Sequence, residues 1–260
     1  MRHRRGRCAE GSGRRRARIN RVRRLFGILI VAALVVAAAW VAAPPVASRL
    51  VQAALVGAGL DAATTHVEVE ANPPLALLLG HADAVRVESS GDALQGVHVE
   101  RLDLVLRGVS LFARTADSVD GTLSGVVSTT GGAALRLAEI QVDGPPGAAG
   151  IVIRLDPADL AAALGPALAA SGVSGVQDAQ ATPPDAITAS VDGRSVTFVL
   201  AIAPDGSLVA QPSTNSLPRA VLWRPADAVG VRLERVEATA TGVLVTGTVD
   251  AWTLLGRAIG

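Results

Sequence analysis

The chain has 260 residues, half of them apolar, yet only 2% are aromatic and there is one cysteine, which excludes a disulfide framework and paired-thiol redox chemistry. Its formal net charge of +1 conceals a sharp division. Residues 1–24 hold eleven Arg and one acid, a balance of +10, whereas residues 25–260 hold 13 Arg and 22 acids, a balance of −9.

Residues 1–24 read as a disordered, Arg-rich tail. Anionic lipid head groups at the inner leaflet suit such a tail. Nucleic-acid stacking does not, because no aromatic lies among the arginines. Cys8 precedes the apolar run and so does not end a lipoprotein-type signal. Leu25–Ala43 then runs nineteen residues without a charge, near the ~20 residues of a membrane-spanning helix. The arginines in front of it predict a cytoplasmic N-terminus and an exported remainder. Trp40 sits where an interface anchor is expected. A cleaved signal sequence is the other reading of this run, although Pro44-Pro45 follows directly where a small residue would be expected. The expected organisation is therefore a cytoplasmic tail over 1–24, an anchor or signal sequence over 25–43, and one exported domain over 46–260.

Pro44-Pro45 ends the membrane run, and Val46–Leu60 reads as a short helix with Leu50, Val51, Ala54 and Leu55 on one face. From His66 the period changes to two. His66–Ala71 and Ala84–Glu88 alternate, and an apolar clump, Leu75–Leu79, lies between them. Val97, Val99, Leu102, Leu104 and Leu106 form a strand pair or one bent strand, with Arg101, Asp103 and Arg107 opposite. One polar face on each strand predicts half-buried antiparallel pairing. Further strands are expected at Leu123–Ser128, Ala134–Val142 and Gly150–Leu155.

Asp156–Ala170 changes period again. Asp156 suits the N-cap, Pro157 the first helical position, and Leu160, Ala163, Leu164, Ala167 and Leu168 share a face. Gly165-Pro166 is expected to bend or shorten this helix. Ser171–Asp185 reads as a linker. Asp192-Gly193 predicts a two-residue hairpin turn between Ile187–Val191 and Val196–Ile202, and Pro204-Asp205-Gly206 turns the chain into Leu208–Ala210. A loop rich in Pro and Ser follows. Between Val229–Leu233 and Val236–Ala240 the apolar phase slips by one, which a β-bulge would absorb. Thr241-Gly242 then turns into Val243–Val249.

Catalytic patterns are absent. The four histidines, His3, His66, His81 and His98, form no HxH or HExxH spacing, and there is no GxSxG elbow and no tyrosine. His66 with Glu68 and Glu70 reads as a solvated strand face rather than a metal site. Asp156/Asp159 and Glu234/Glu237 read as helix capping and a solvated strand edge. Neither catalytic nor metal-ligating residues are assigned, no cofactor is expected, and the chain is read as a non-enzyme.

The stretches HVEVEANPPLALLLGHADAVRVE, LDLVLRGV, IVIRLDPADLAAAL and GVRLERVEATATGVLVTGTVDAWTL, in that order, resemble the actinobacterial LmeA-like family over about residues 46–256. Asp159-Leu160 and the closing Gly-Val-Leu-Val-Thr-Gly-Thr stretch are the most telling. The chain departs at Ala71-Asn72-Pro73-Pro74, where family members usually carry a Gly-Phe-Pro-Phe-like turn. The resemblance implies a phospholipid-binding protein, anchored to a membrane or secreted. The implied fold is α+β, with long curved antiparallel strands wrapping one or two helices, like a tubular lipid-binding domain. On that basis the expected function is phospholipid binding in an apolar groove at the cell envelope (the periplasmic side of the cytoplasmic membrane), as a carrier or an accessory to lipid or glycolipid assembly. The expected partners are phospholipid, the membrane and envelope-assembly proteins, with no nucleic acid. Leu102, Leu104, Leu106, Leu160, Leu164, Phe198 and Leu200 are the candidate lipid contacts. The alternative is an envelope scaffold or protein-interaction domain with a filled core, since strand alternation does not distinguish a groove from a core.

Overall fold

The computed structural model describes residues 43–56, 60–94, 97–113, 115–128, 134–169, 172–173, 175–214, 217–225 and 230–251. The chain divides into two units, Met1–Ala43 and Pro44–Gly260. The Arg-rich tail and nearly all of the apolar run Leu25–Ala43 lie outside the described residues, as do Trp40 and Trp252. Among the described residues, no helix is long and apolar enough to cross a membrane.

Helix α1 covers residues 43–56. Ala47 and Leu55 are its buried positions, whereas Leu50 is 67% exposed. This corrects the predicted face: the buried stripe is centred one helical position further round, on Ala47, Val51 and Leu55. The Ser48 hydroxyl accepts the backbone N–H of Val69 at 3.2 Å, and the Gln52 side-chain amide donates to the Thr65 carbonyl at 2.7 Å. Thus α1 runs antiparallel to the first strand and engages its free edge, where an open strand would otherwise invite pairing.

Six strands follow as a meander: β1 (His66–Glu70), β2 (His81–Leu94), β3 (Val97–Ser110), β4 (Ser118–Ser128), β5 (Leu135–Gly144) and β6 (Ala149–Leu155). The Leu75–Leu79 clump forms a 3-10 turn, Pro74–Leu79, closed by Gly80 in the left-handed region at φ 75°. Then come helix α2 (Pro157–Ala169) and strands β7 (Val176–Thr182), β8 (Ala186–Val191), β9 (Arg194–Ile202), β10 (Leu208–Pro212), β11 (Ala220–Trp223), β12 (Val231–Thr239) and β13 (Gly242–Val249). They form an eight-stranded sheet in the order β1-β2-β3-β4-β5-β6-β13-β12 and a five-stranded sheet in the order β11-β10-β9-β8-β7. Every pairing is antiparallel.

Several expectations are met. Val97–Ser110 is one strand rather than two. Asp192 and Gly193 have φ 50° and 75°, the positive values a two-residue hairpin turn demands. The predicted bulge lies between Leu233 and Arg235. Others are corrected. The supposed linker Ser171–Asp185 contains β7, an edge strand that alternates poorly and is exposed along most of its length. The Pro- and Ser-rich loop contains β11. Helix α2 is not shortened at Pro166 but continues through it to Ala169, held by its buried face of Leu160, Ala163, Leu164 and Leu168.

The two sheets meet around α2. The helix lies against β5 of the large sheet and against both edge strands, β7 and β11, of the small one. A five-stranded sheet reaches one helix with both its edges only if it is curled. Strand β12 adds contacts with β7, β8 and β9, and the Ala238 N–H donates to the Pro184 carbonyl at 2.6 Å. The core here is closed: Leu160, Ala163, Leu164, Leu168, Phe198, Ile187 and Leu208 have no exposed surface. The indole N–H of buried Trp223 donates to the Ser128 hydroxyl at 3.1 Å, tying β11 to β4. Ser128→Ala removes that acceptor and should cost about 1–3 kcal/mol, measured as a lower denaturant midpoint at unchanged slope.

The β9–β10 turn is held locally. Asp205 accepts from the Ser207 hydroxyl at 2.6 Å, from the Ser207 N–H at 3.2 Å and from Arg224 at 2.8 Å. The Ser207 bonds, with Arg224 helping, hold its carboxyl below the usual aspartate value. A lowered carboxyl stabilises the fold above the unfolded-state value, about 3.9, and that support fades as pH falls through the folded value. Asp205→Ala should therefore lower the midpoint of unfolding at neutral pH. The gap from the parent should narrow as the pH is taken below 4, a comparison made by paired melts across the acid range.

Candidate lipid-binding face

In the large sheet, alternation puts one phase of side chains on each face, and the pairing register aligns those phases across strands. One row reads Val67, Val87, Leu104, Gly121, Val142, Ile151, Gly247, Leu233, from β1 through to β12. The next reads Ser89, Leu102, Leu123, Ile140, Ile153, Val245, Val236. A shorter one reads Val69, Val85, Leu106, Val119, Gly144. These rows make one apolar inner face, interrupted only by Ser89, whose hydroxyl bonds that of Thr65 at 2.9 Å.

The other face is polar. Arg86 pairs with Glu88 at 2.9 Å and Asp103 at 3.0 Å, and Arg154 with Glu139 at 3.6 Å. Asp103, then Glu88, favours the charged form of Arg86 and raises its pKa. These pairs are exposed and contribute little stability. They mark which face meets water.

The inner face is not uniformly covered. Val67, Leu104, Val142 and Leu233 keep 6–8% of their surface, while Leu106, Gly121, Leu123 and Ile140 are half-buried. Gly121 lets β3 and β4 approach closely: a Cβ there would overlap the Asp103 carbonyl oxygen and the Leu104 side chain. The centre of β3–β5 is thus a shallow apolar strip with partial access to solvent.

A second feature bounds this strip. In β3 and β5 the buried phase shifts by one residue, between Val99 and Leu102 and between Leu137 and Ile140. Gly91 and Gly125, at φ 74° and 61°, lie in the same row of β2 and β4. Gly125 leaves room for Glu100, which pairs with Arg136 at 2.8 Å. Beyond that row Leu135 and Leu137 are enclosed near α2. Asp159, at the start of α2, has its carboxyl pushed up chiefly by partial burial, with Arg136 opposing and Asp156 adding to the rise. Its linkage is opposite in sign to that of Asp205: the stability it contributes is full at low pH and is lost as pH rises through its folded value.

The seven candidate contacts fall into two groups. Leu102, Leu104 and Leu106 lie together on the inner face of β3. Leu160 and Leu164 lie one turn apart on α2, while Phe198 and Leu200 share a face of β9, and all four are at most 2% exposed. Sequence reading passed over Leu123, Ile140 and Gly121. Their strands are broken by Gly, Ser and Thr or by the phase shift, and only the register with β3 reveals their place. His66, His81 and His98 are exposed and separate. Among the described residues no group of three or more His, Cys, Asp or Glu is placed to hold a metal ion.

The large sheet is antiparallel, apolar on one face and polar on the other, and no metal-ligating cluster accompanies it among the described residues. The family model for LmeA-like phospholipid-binding proteins matches residues 35–248, and the chain belongs to that family. Comparison with curated proteins and with solved structures found no match.

Proposed function

We propose that this protein is anchored in the cytoplasmic membrane by residues 25–43 and binds phospholipid acyl chains on the inner face of its large sheet, as a carrier or accessory in envelope lipid or glycolipid assembly. The observation that carries the reading is the half-buried strip Leu106, Leu123 and Ile140 within an apolar face whose polar interruption is Ser89. Each methylene removed from water there contributes about 0.8 kcal/mol, so retention grows with the length of acyl chain covered. Leu102 and Leu104 floor the strip. Leu160, Leu164, Phe198 and Leu200 brace the far end of the sheet, and a lipid reaches them only by displacing packed neighbours. The arginine excess before residue 25 supports an N-terminus inside and the domain outside. The proposed action is binding rather than catalysis.

A second reading has its own observation: the complete enclosure of the α2 face is what a scaffold with a filled core would show. One experiment separates them. The full chain is reconstituted in vesicles containing a phospholipid with a photoreactive group in its acyl chain, then irradiated and mapped by peptide mass spectrometry. Label on the peptides carrying Leu102–Leu106, Leu123 and Ile140 is expected. Label confined to residues 25–43 would reject the groove and leave the scaffold.

A further inference from the structure

Three exposed apolar side chains gather at one end of the large sheet. Leu78 and Leu79 of the 3-10 turn are 60% and 72% exposed, and Phe112, in the β3–β4 turn, is 77% exposed. They are held together. The Leu111 N–H donates to the Gly80 carbonyl at 2.7 Å, and the Phe112 ring lies over Gly80 where any Cβ would overlap it. Only glycine permits both that contact and the φ of 75°. A fixed, exposed aromatic beside two exposed leucines presents a local apolar patch to water.

We infer that this tip is the surface by which the domain enters a phospholipid bilayer, exchanging lipid between the bilayer and the inner face. Three observations commit the occupant. First, Leu75–Leu79 and Leu111–Ala113 are uncharged, and the ionisable residues His81, Arg107 and Arg114 flank these stretches rather than interrupt them, an arrangement that suits the hydrocarbon boundary of a bilayer. Second, Leu102, Leu104 and Leu106 lead along β3 toward the turn that carries Phe112, so the strip proposed for lipid runs to this end. Third, the first turn of helix α1 lies at this end of the sheet. Helix α1 runs antiparallel to β1, with Ser48 opposite Val69 and Gln52 opposite Thr65, so its first turn lies at the end where β1 passes into the 3-10 turn. Val46 in that turn is itself 54% exposed. The exchange role rests on the lipid-binding reading, whereas entry into the bilayer does not.

The test uses the full chain with Cys8→Ser, reconstituted in phosphatidylcholine vesicles. An environment-sensitive fluorophore is placed at Ala113→Cys, beside Phe112, or at Ser195→Cys, exposed beside the β8–β9 turn. The label at 113 should shift to the blue and be quenched by nitroxide on the lipid chains, and raised salt should not reverse it. The label at 195 should stay aqueous. Leu79→Asp with Phe112→Asp should return the 113 label to its aqueous spectrum and slow lipid transfer between vesicles at least tenfold, with the melting temperature kept because both positions are exposed. An unshifted 113 label overturns the tip. So does a shifted label that lipid nitroxide leaves unquenched, which would mark a second copy or another protein as the occupant. Acyl-chain photolabelling in the same samples reports the groove separately: retained label with an aqueous tip removes this inference alone, and a quenched tip without groove label keeps bilayer entry and removes the exchange role.

Discussion

Substituting phenylalanine for both Leu160 and Leu164 is expected to lower the melting temperature clearly while leaving bound lipid unchanged. Both leucines have no exposed surface, and α2 is held between β5 and the two edge strands of the small sheet. Additional ring carbons have no void to enter, so neighbours must leave their rotamers or the backbone must shift, at about 1–3 kcal/mol per site. The sites are one turn apart and share neighbours, so the double cost need not equal the sum. For a domain of this size each kcal/mol moves the midpoint by about 2–4 °C. Melting temperature and extracted lipid per mole of folded protein, read on one preparation, decide the matter. Unchanged stability with depleted lipid would place acyl chains against α2 and extend the groove to the helix.

The sequence made the large sheet readable because its strands alternate over long stretches and one of their faces is charged. HVEVE, LDLVLR and IVIRL each declare a face without help from neighbours. The hairpin at Asp192-Gly193 and the bulge near Glu234 were equally local signals, one of turn chemistry and one of phase. The small sheet was half hidden because β7 and β11 derive their order from partners. Gln177, Asp178 and Gln180 have no apolar rhythm, and β7 pairs with β8 across a register shift that no local pattern encodes. The candidate face was legible only in β3. Leu123 and Ile140 join it through pairing with Leu102 and with each other, a relation between residues 17 or more apart. The tip was invisible for a different reason. Phe112 is a lone aromatic in a turn, and it becomes notable only when Gly80, 32 residues earlier, is found beneath its ring.

Filling the strip is expected to have the larger effect on binding. Leu106→Trp with Leu123→Trp adds bulk at two half-buried positions on the inner face, on neighbouring strands and on the two rows flanking Leu104 and Gly121. Partial exposure lets each indole turn toward the open side, so the overpacking predicted at α2 does not apply. If two indoles exclude three or four methylenes of an acyl chain at about 0.8 kcal/mol each, binding weakens by about 3 kcal/mol, or roughly a hundredfold. Val152→Trp supplies the control. It adds the same ring to the polar outer face of β6, at a position already 38% exposed, where no acyl chain is proposed. Retained lipid in the control and depleted lipid in the double variant, both folded, is the expected pair of results by mass spectrometry of extracted lipid. Equal lipid in the two would remove the inner face as the binding surface. The half-burial of Leu106, Leu123 and Ile140 would then belong to a solvent-facing sheet, and phospholipid would have to be held elsewhere on the chain.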